Sequence, residues 1–198
     1  MKKALICLAH GSEESEAIAS ADLLVRAGID VTFASAEEDG ALLLTGAHGI
    51  KLTADIALAK AATTTFDVIV LPGGLPGAET FRDSALLVEQ VRQFQLEEKL
   101  VAAICACPAY VLEHHNLYPV ANMTGYPALK SMISPRKWVD KRVCYDERVN
   151  LITSQGPATA IDFALKIIDV LLGRDKAADV AAQLVLPPGI YNYIDTNN

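Results

Sequence analysis

Apolar residues fall along this chain in two kinds of pattern. Dense short runs at 3–9, 66–71, 100–104 and 151–154 have the length of strands buried on both faces, as in a parallel sheet. Between them the spacing changes to three and four. Ala17, Ile18, Ala21, Leu24 and Val25 predict a helix over 14–27, ended by Gly28. A long amphipathic helix is predicted over 84–98 behind a cap at Asp83. Another, over 158–172, is opened by Gly156-Pro157 and stopped by Gly173.

The weaker segments read as follows: a second strand over 30–34, two short strand pieces over 42–52 around Ala47-His48-Gly49, and a modest helix over 54–62. A short helix or turn is predicted over 77–82, a strand over 118–123, a turn into a short helix from Gly125-Tyr126-Pro127, and a last helix over 176–184. Residues 130–148 are polar and locally basic, with a strand near 143–145, and the tail from Pro187 carries little pattern. Strands alternating with helices predict a parallel α/β sandwich with right-handed crossovers. In such sheets the site lies at the carboxyl ends of the strands, an edge marked here by Ala9-His10-Gly11, Pro72-Gly73-Gly74 and Ile104-Cys105-Ala106.

Composition narrows the class. The 198 residues suffice for one α/β domain with a full core, and 52% hydrophobic with 21% charged residues is an ordinary globular balance. A net charge of −7 leaves no basic excess for phosphates, so nucleic acid is not expected as a main partner. No apolar run reaches the roughly 18 residues that span a bilayer, and no membrane partner is expected. The start, Met1-Lys2-Lys3 followed by an apolar stretch to Ala9, faintly imitates a signal peptide, but acidic residues follow where a cleavage site would be. Cys7, Cys105, Cys107 and Cys144 are scattered, which suits a reducing cytoplasm better than a disulfide framework.

Candidate chemistry gathers around Cys105. A cysteine between a buried strand and a helix is the thiol version of a nucleophile elbow, expected to stand into solvent with the helix dipole favouring a thiolate. Small Ala106 and early Pro108 fit a tight elbow, although a cysteine here is also compatible with plain packing. Glu16 lies one turn into the first helix, beside its apolar face. It is either a carboxylate favoured by the helix N-terminus, as Glu13 and Glu14 are, or a half-buried proton donor. Gly73-Gly74 is either a tight turn or, with the N–H of Ala106, an oxyanion hole. His10 is either a loop residue or a side chain that lines the site. His114 and His115 lie at the far end of the elbow helix, and His48 is unplaced. Cys107 reads as a packing residue or as a resolving thiol. The spacing Gly74-Leu75-Pro76-Gly77 fits neither a dinucleotide fingerprint nor a Walker loop, and Cys105-Ala106-Cys107 is not a zinc pattern, so neither cofactor nor metal is expected.

Five segments together resemble the ThiJ/PfpI superfamily, in the branch of YajL and the Parkinsonism-associated protein deglycase: G-S-E-E-S-E at 11–16, D-V-I-V-L-P-G-G at 67–74, A-A-I-C-A-C-P-A at 102–109, N-M-T-G-Y-P at 122–127 and L-I-T-S-Q-G-P-A-T-A at 151–160. The resemblance spans the chain and implies a flavodoxin-like three-layer sandwich, a single class I glutamine amidotransferase-like domain over 1–198, and a homodimer with Arg26 near its interface. It implies Cys105 as an oxidation-prone nucleophile, Glu16 as a protonated acid on its sulfur, and Gly74 and Ala106 as backbone oxyanion donors. Gly73, Tyr126 and Pro157 are expected to line the site. Tyr126 stands where some relatives have His, which argues against a Cys-His protease, and His48 where relatives often have Arg. The implied activity is a cysteine-dependent deglycase or glutathione-independent glyoxalase on small aldehydes and glycated amines or thiols. The alternative is a redox-responsive chaperone or sensor that oxidises Cys105 reversibly.

Overall fold

A computed structural model describes residues 1–61 and 63–187 of the chain. Its centre is a seven-stranded sheet in the order β5-β2-β1-β6-β7-β9-β8. The strands are β1 (Lys3–Leu8), β2 (Asp30–Ser35), β5 (Ile56–Ala57), β6 (Val68–Leu71), β7 (Leu100–Ile104), β8 (Val143–Asp146) and β9 (Leu151–Ser154). All neighbours are parallel except β8, which runs antiparallel to β9 at the edge. The middle five, β2-β1-β6-β7-β9, follow the flavodoxin-like strand order, whose chain reversal opens a crevice beside β1. The predicted buried runs hold, because β6, β7 and β9 are buried at every position.

Helices cover both faces. α1 (Glu14–Arg26) packs on α5 (Ala160–Leu172), and α5 on α6 (Arg174–Ala182). α3 (Leu75–Asp83) packs on α4 (Ala85–Leu96), which also meets the one-turn α2 (Leu58–Ala61). An antiparallel hairpin of β3 (Leu43–Thr45) and β4 (Lys51–Thr53) lies over the start of α1, where Leu44 packs with Leu8, Ala17 and Ala54.

Four expectations change. Residues 118–123 form turns and a single bridge from Met123 to Trp138, because Pro119 has no N–H to give a ladder. Ser84, not Asp83, caps α4 by accepting the Leu87 N–H, while Asp83 ends α3 and pairs with Arg82. The helix expected over 54–62 shrinks to β5 and α2; Ala62 and residues 188–198 lie outside the described residues. The elbow helix is a π-helix over Pro108–Glu113, a form enriched at functional sites. No helix among the described residues is long and apolar enough to cross a membrane.

Candidate active site

The ends of β1, β6 and β7 converge at Cys105. Its φ of +63° places a non-glycine residue in the left-handed region, a conformation that costs about 1–3 kcal/mol and needs support. Both flanking peptide groups supply it: Cys105 N–H donates to Ser154 O at 2.9 Å, and Cys105 O accepts from Tyr126 N–H at 2.7 Å. Ser154 is itself fixed by Thr159 at 2.6 Å, so β9 and the turn after Gly156 hold the elbow in shape. The sulfur does not stand into solvent as the sequence suggests. Cys105 is only 9% exposed, because the loops at Gly73, Gly125 and Tyr126 close over the elbow.

Glu16 lies fully buried beside it. Its Oε2 accepts the Gly73 N–H at 2.6 Å, and its carboxyl interacts with the Cys105 sulfur as a hydrogen-bond partner. Oε1 is buried with no hydrogen-bond partner, which disfavours a negative charge on it. Burial pushes the Glu16 carboxyl up to about 7, despite the Gly73 N–H, and the neighbouring Glu13 carboxylate adds to the rise. Burial likewise pushes the Cys105 thiol up to about 12; the Glu16 charge adds to this, and the N–H groups of Gly74 and Ala106 oppose it. The helix dipole therefore does not govern the thiol, as the elbow pattern suggests; burial and Glu16 outweigh it. The two groups titrate as a unit, holding two protons below about 7 and one proton from there to about 12. In the one-proton state two N–H donors face the sulfur and one faces Glu16. Those two N–H groups would stabilise a charge on sulfur with the proton on Glu16, against the burial that raises the thiol most.

A carboxyl raised from 4.5 to about 7 stabilises the fold most below 4.5 and loses that contribution as pH rises through 7. We therefore expect unfolding in denaturant to become easier from below to above pH 7, and Glu16→Gln to flatten that slope.

Glycine is a steric requirement at two positions here. A Cβ on Gly73 would lie 2.5 Å from Cys105 Cβ, 2.8 Å from Glu16 Oε2 and 3.0 Å from the sulfur. A Cβ on Gly74, at φ +85°, would lie 2.1 Å from Gly11 O. Gly73-Gly74 is thus more than a tight turn: it lets β6 and the acid approach the sulfur.

The remaining candidates divide. Tyr126 is partly exposed at the mouth, near Gly156, and Pro157 opens the exposed turn after it. His10 is held elsewhere: its Nδ1 accepts the Thr45 N–H at 3.0 Å, and its ring lines a separate cavity with Glu37, Asp39 and Glu79. His115 bonds Arg82 O at 2.7 Å, away from the sulfur. Cys107 is fully buried and donates to Pro72 O at 3.0 Å, a packing role that positions the Gly73-Gly74 loop. Glu14 anchors the hairpin, accepting the N–H groups of His48 at 2.8 Å and Ile50 at 3.2 Å and the His48 ring at 3.1 Å. Glu13, Glu14 and His48 offer donor atoms within 4.8 Å of one another, but these hydrogen bonds already account for the arrangement as a latch. Sequence reading treats Glu13 and Glu14 as helix-end charges; only the contact of 34 residues' separation from Glu14 to His48 reveals the latch.

Sequence comparison places the chain in a known group. The DJ-1/PfpI family model matches residues 2–170. The chain belongs to the DJ-1/PfpI family. It is 40% identical to protein dj-1beta of Drosophila melanogaster over 186 residues, covering 93% of this chain and 97% of that protein. It is 34% identical over 188 residues to a Caenorhabditis elegans protein named glutathione-independent glyoxalase DJR-1.2, covering 93% and 97%. Protein DJ-1 homolog A of Arabidopsis thaliana is 40% identical over 189 residues, which are 94% of this chain but 47% of that protein, so the chain spans about half its length. Among solved structures, oxidised Toxoplasma gondii DJ-1 superposes with a TM-score of 0.89 at 39% identity, covering 93% and 98%. Drosophila melanogaster DJ-1beta superposes with 0.88 at 41%, covering 94% and 98%. These confirm the flavodoxin-like fold of the family.

Proposed function

We propose that this protein is a cysteine-dependent, glutathione-independent enzyme that converts α-oxoaldehydes such as methylglyoxal to hydroxy acids and acts on their early adducts with amines and thiols. The observation that carries this reading is the buried Cys105–Glu16 pair, with the N–H groups of Gly74 and Ala106 facing the sulfur. The relative named as a glutathione-independent glyoxalase supports it.

The chemistry runs on the one-proton state of the pair. The Cys105 thiolate adds to the aldehyde carbon, and the new alkoxide takes the Glu16 proton, giving a neutral hemithioacetal. While the oxygen is charged, the N–H groups around the sulfur stabilise it. Glu16, now a carboxylate, removes the C1 hydrogen as a proton and returns it to C2. C1 is thereby oxidised to a thioester and C2 reduced to an alcohol, with no external oxidant. Water then cleaves the thioester, releasing the hydroxy acid and restoring the thiol. No histidine reaches the sulfur among the described residues to act as a second base, so turnover is slow. Glu16→Gln keeps the volume but can neither give nor take the proton. It is expected to lower kcat for lactate formation about 10²-fold or more while leaving Cys105 in place; an unchanged kcat would remove Glu16 from the mechanism.

A second reading has support in the oxidised form of the Toxoplasma relative. Here Cys105 acts as a reversible redox sensor, its oxidised oxygens held by Glu16 and the same N–H groups. In that case Glu16→Gln changes how far the sulfur oxidises and has no turnover to alter. We also propose a homodimer, supported by exposed Ile18 and Val25 on α1 beside exposed Leu43 and Ile50 on the hairpin that packs on it. Arg26, paired with Asp22 at 2.7 Å at the end of α1, would border that surface. The cytoplasm as the working compartment remains part of the proposal.

A further inference from the structure

The mechanism leaves unused a buried carboxylate that touches the pair. Glu13 is 8% exposed and caps α1 with its side chain: Oε2 accepts the Glu16 N–H at 2.8 Å and the Ser15 hydroxyl at 2.6 Å. Its own N–H donates to Gly73 O at 2.9 Å, on the same residue whose N–H binds Glu16 Oε2. Glu13 therefore reaches the acid from both sides, through the helix end that carries Glu16 and through the loop that holds its carboxyl. An N-cap needs only an oxygen acceptor, and Ser, Thr, Asp or Asn supply one more commonly than Glu. A charged acceptor this close to another buried carboxyl has an electrostatic consequence that a neutral cap lacks.

We infer that Glu13 is a positioning residue whose negative charge sets where the shared proton of the Cys105–Glu16 pair resides, holding it on Glu16 and leaving the charge on sulfur. This rests on the reading of the pair as a proton-sharing unit. Three titratable groups face Glu16: Glu13 from α1, and Cys105 and Cys107 from the elbow after β7. Cys107 is buried, with its thiol pushed well up by burial, so it stays neutral. On the far side of Glu13 stands His48, its Nδ1 3.6 Å from Glu13 and 3.1 Å from Glu14, so a protonated His48 would offset the Glu13 charge. Glu13 raises the energy of a Glu16 carboxylate directly, and the Glu16 charge in turn acts on Cys105. Like charges at such range favour the state that keeps them apart, which is the protonated Glu16 beside a thiolate.

Glu13→Gln tests this, because glutamine keeps an oxygen acceptor for the cap and removes the charge. The direct readout is the Glu16 carboxyl carbon, followed by NMR across pH in carbon-13-labelled protein, with Glu16→Gln identifying the signal. Above pH 7, where the shared proton sits on Glu16 in the unmodified protein, the variant is expected to move the Glu16 carbon toward its carboxylate position. It is also expected to lower the rate of Cys105 alkylation above pH 7 about fivefold, as the proton shifts from Glu16 to sulfur. Glu13→Ala, which also loses the cap, should show the same carbon shift with lower thermal stability. A Glu16 signal above pH 7 that is unchanged in Glu13→Gln, in folded protein, would overturn the inference. Both readouts exist without aldehyde turnover, so failure of the glyoxalase reading would leave this test intact.

Discussion

Replacing Cys105 by Ala is expected to abolish lactate formation from methylglyoxal without glutathione, a loss of about 10³-fold or more, in a protein that still folds. Every bond made in the proposed reaction starts at this sulfur, and no other cysteine can take its place. Cys7 and Cys107 are fully buried, and Cys144 lies in β8 beside Asn122, away from Glu16. The fold should survive, since Ala fills most of the same space and the peptide bonds to Ser154 and Tyr126 do not depend on the side chain. A circular dichroism spectrum that matches the unmodified protein, together with absent turnover, is the expected pair of results. Residual turnover near the original rate would mean that another group is the nucleophile.

The second large effect is expected at Gly74. Its φ of +85° disfavours any side chain, and a Cβ there would meet Gly11 O at 2.1 Å and Glu13 N at 2.7 Å. These are backbone atoms at the end of β1 and the start of α1, so no flexible side chain can give way. Gly74→Ala should cost about 3 kcal/mol or more in chemical denaturation. It should also turn the Gly74 N–H away from the sulfur, so that surviving protein has a weaker thiolate. Gly49, at φ +86° with open space around it, provides the control: Gly49→Ala carries the conformational cost without the clash, about 1 kcal/mol. Equal losses at the two sites would show that contact with β1 and α1 is not what makes Gly74 necessary.

The legible parts of this molecule are those that local pattern determines. Buried strands of a parallel sheet are uniformly apolar, so β1, β6, β7 and β9 stand out, and the change from Ile104 to Cys105 marks the elbow. Helical spacing puts Glu16 beside Ala17 on the buried face of α1 but leaves its role open, and only the family resemblance points to the sulfur. What needs distant partners is hidden. The burial of the sulfur depends on Gly125 and Tyr126 folding over Cys105, some 20 residues on, which no periodicity announces. The hairpin latch depends on a carboxylate meeting a ring 34 positions away. The turn over 118–123 is misread because its apolar residues pack in the core, Tyr118 and Met123 being buried, without joining a ladder. The burial of Glu13 is invisible for the same reason: an acid at a helix start is ordinary until the loop at Gly73 closes on it.

We propose that Cys105 is a nucleophile near neutral pH because it shares one proton with Glu16. The most direct measurement is the rate of Cys105 alkylation by iodoacetamide across pH, with the modified site read by peptide mass spectrometry. We expect a rise centred near 7, where the pair loses its first proton, followed by a plateau. A rate that stays flat through neutrality and climbs only toward 12, the sulfur's own shifted range, would contradict it.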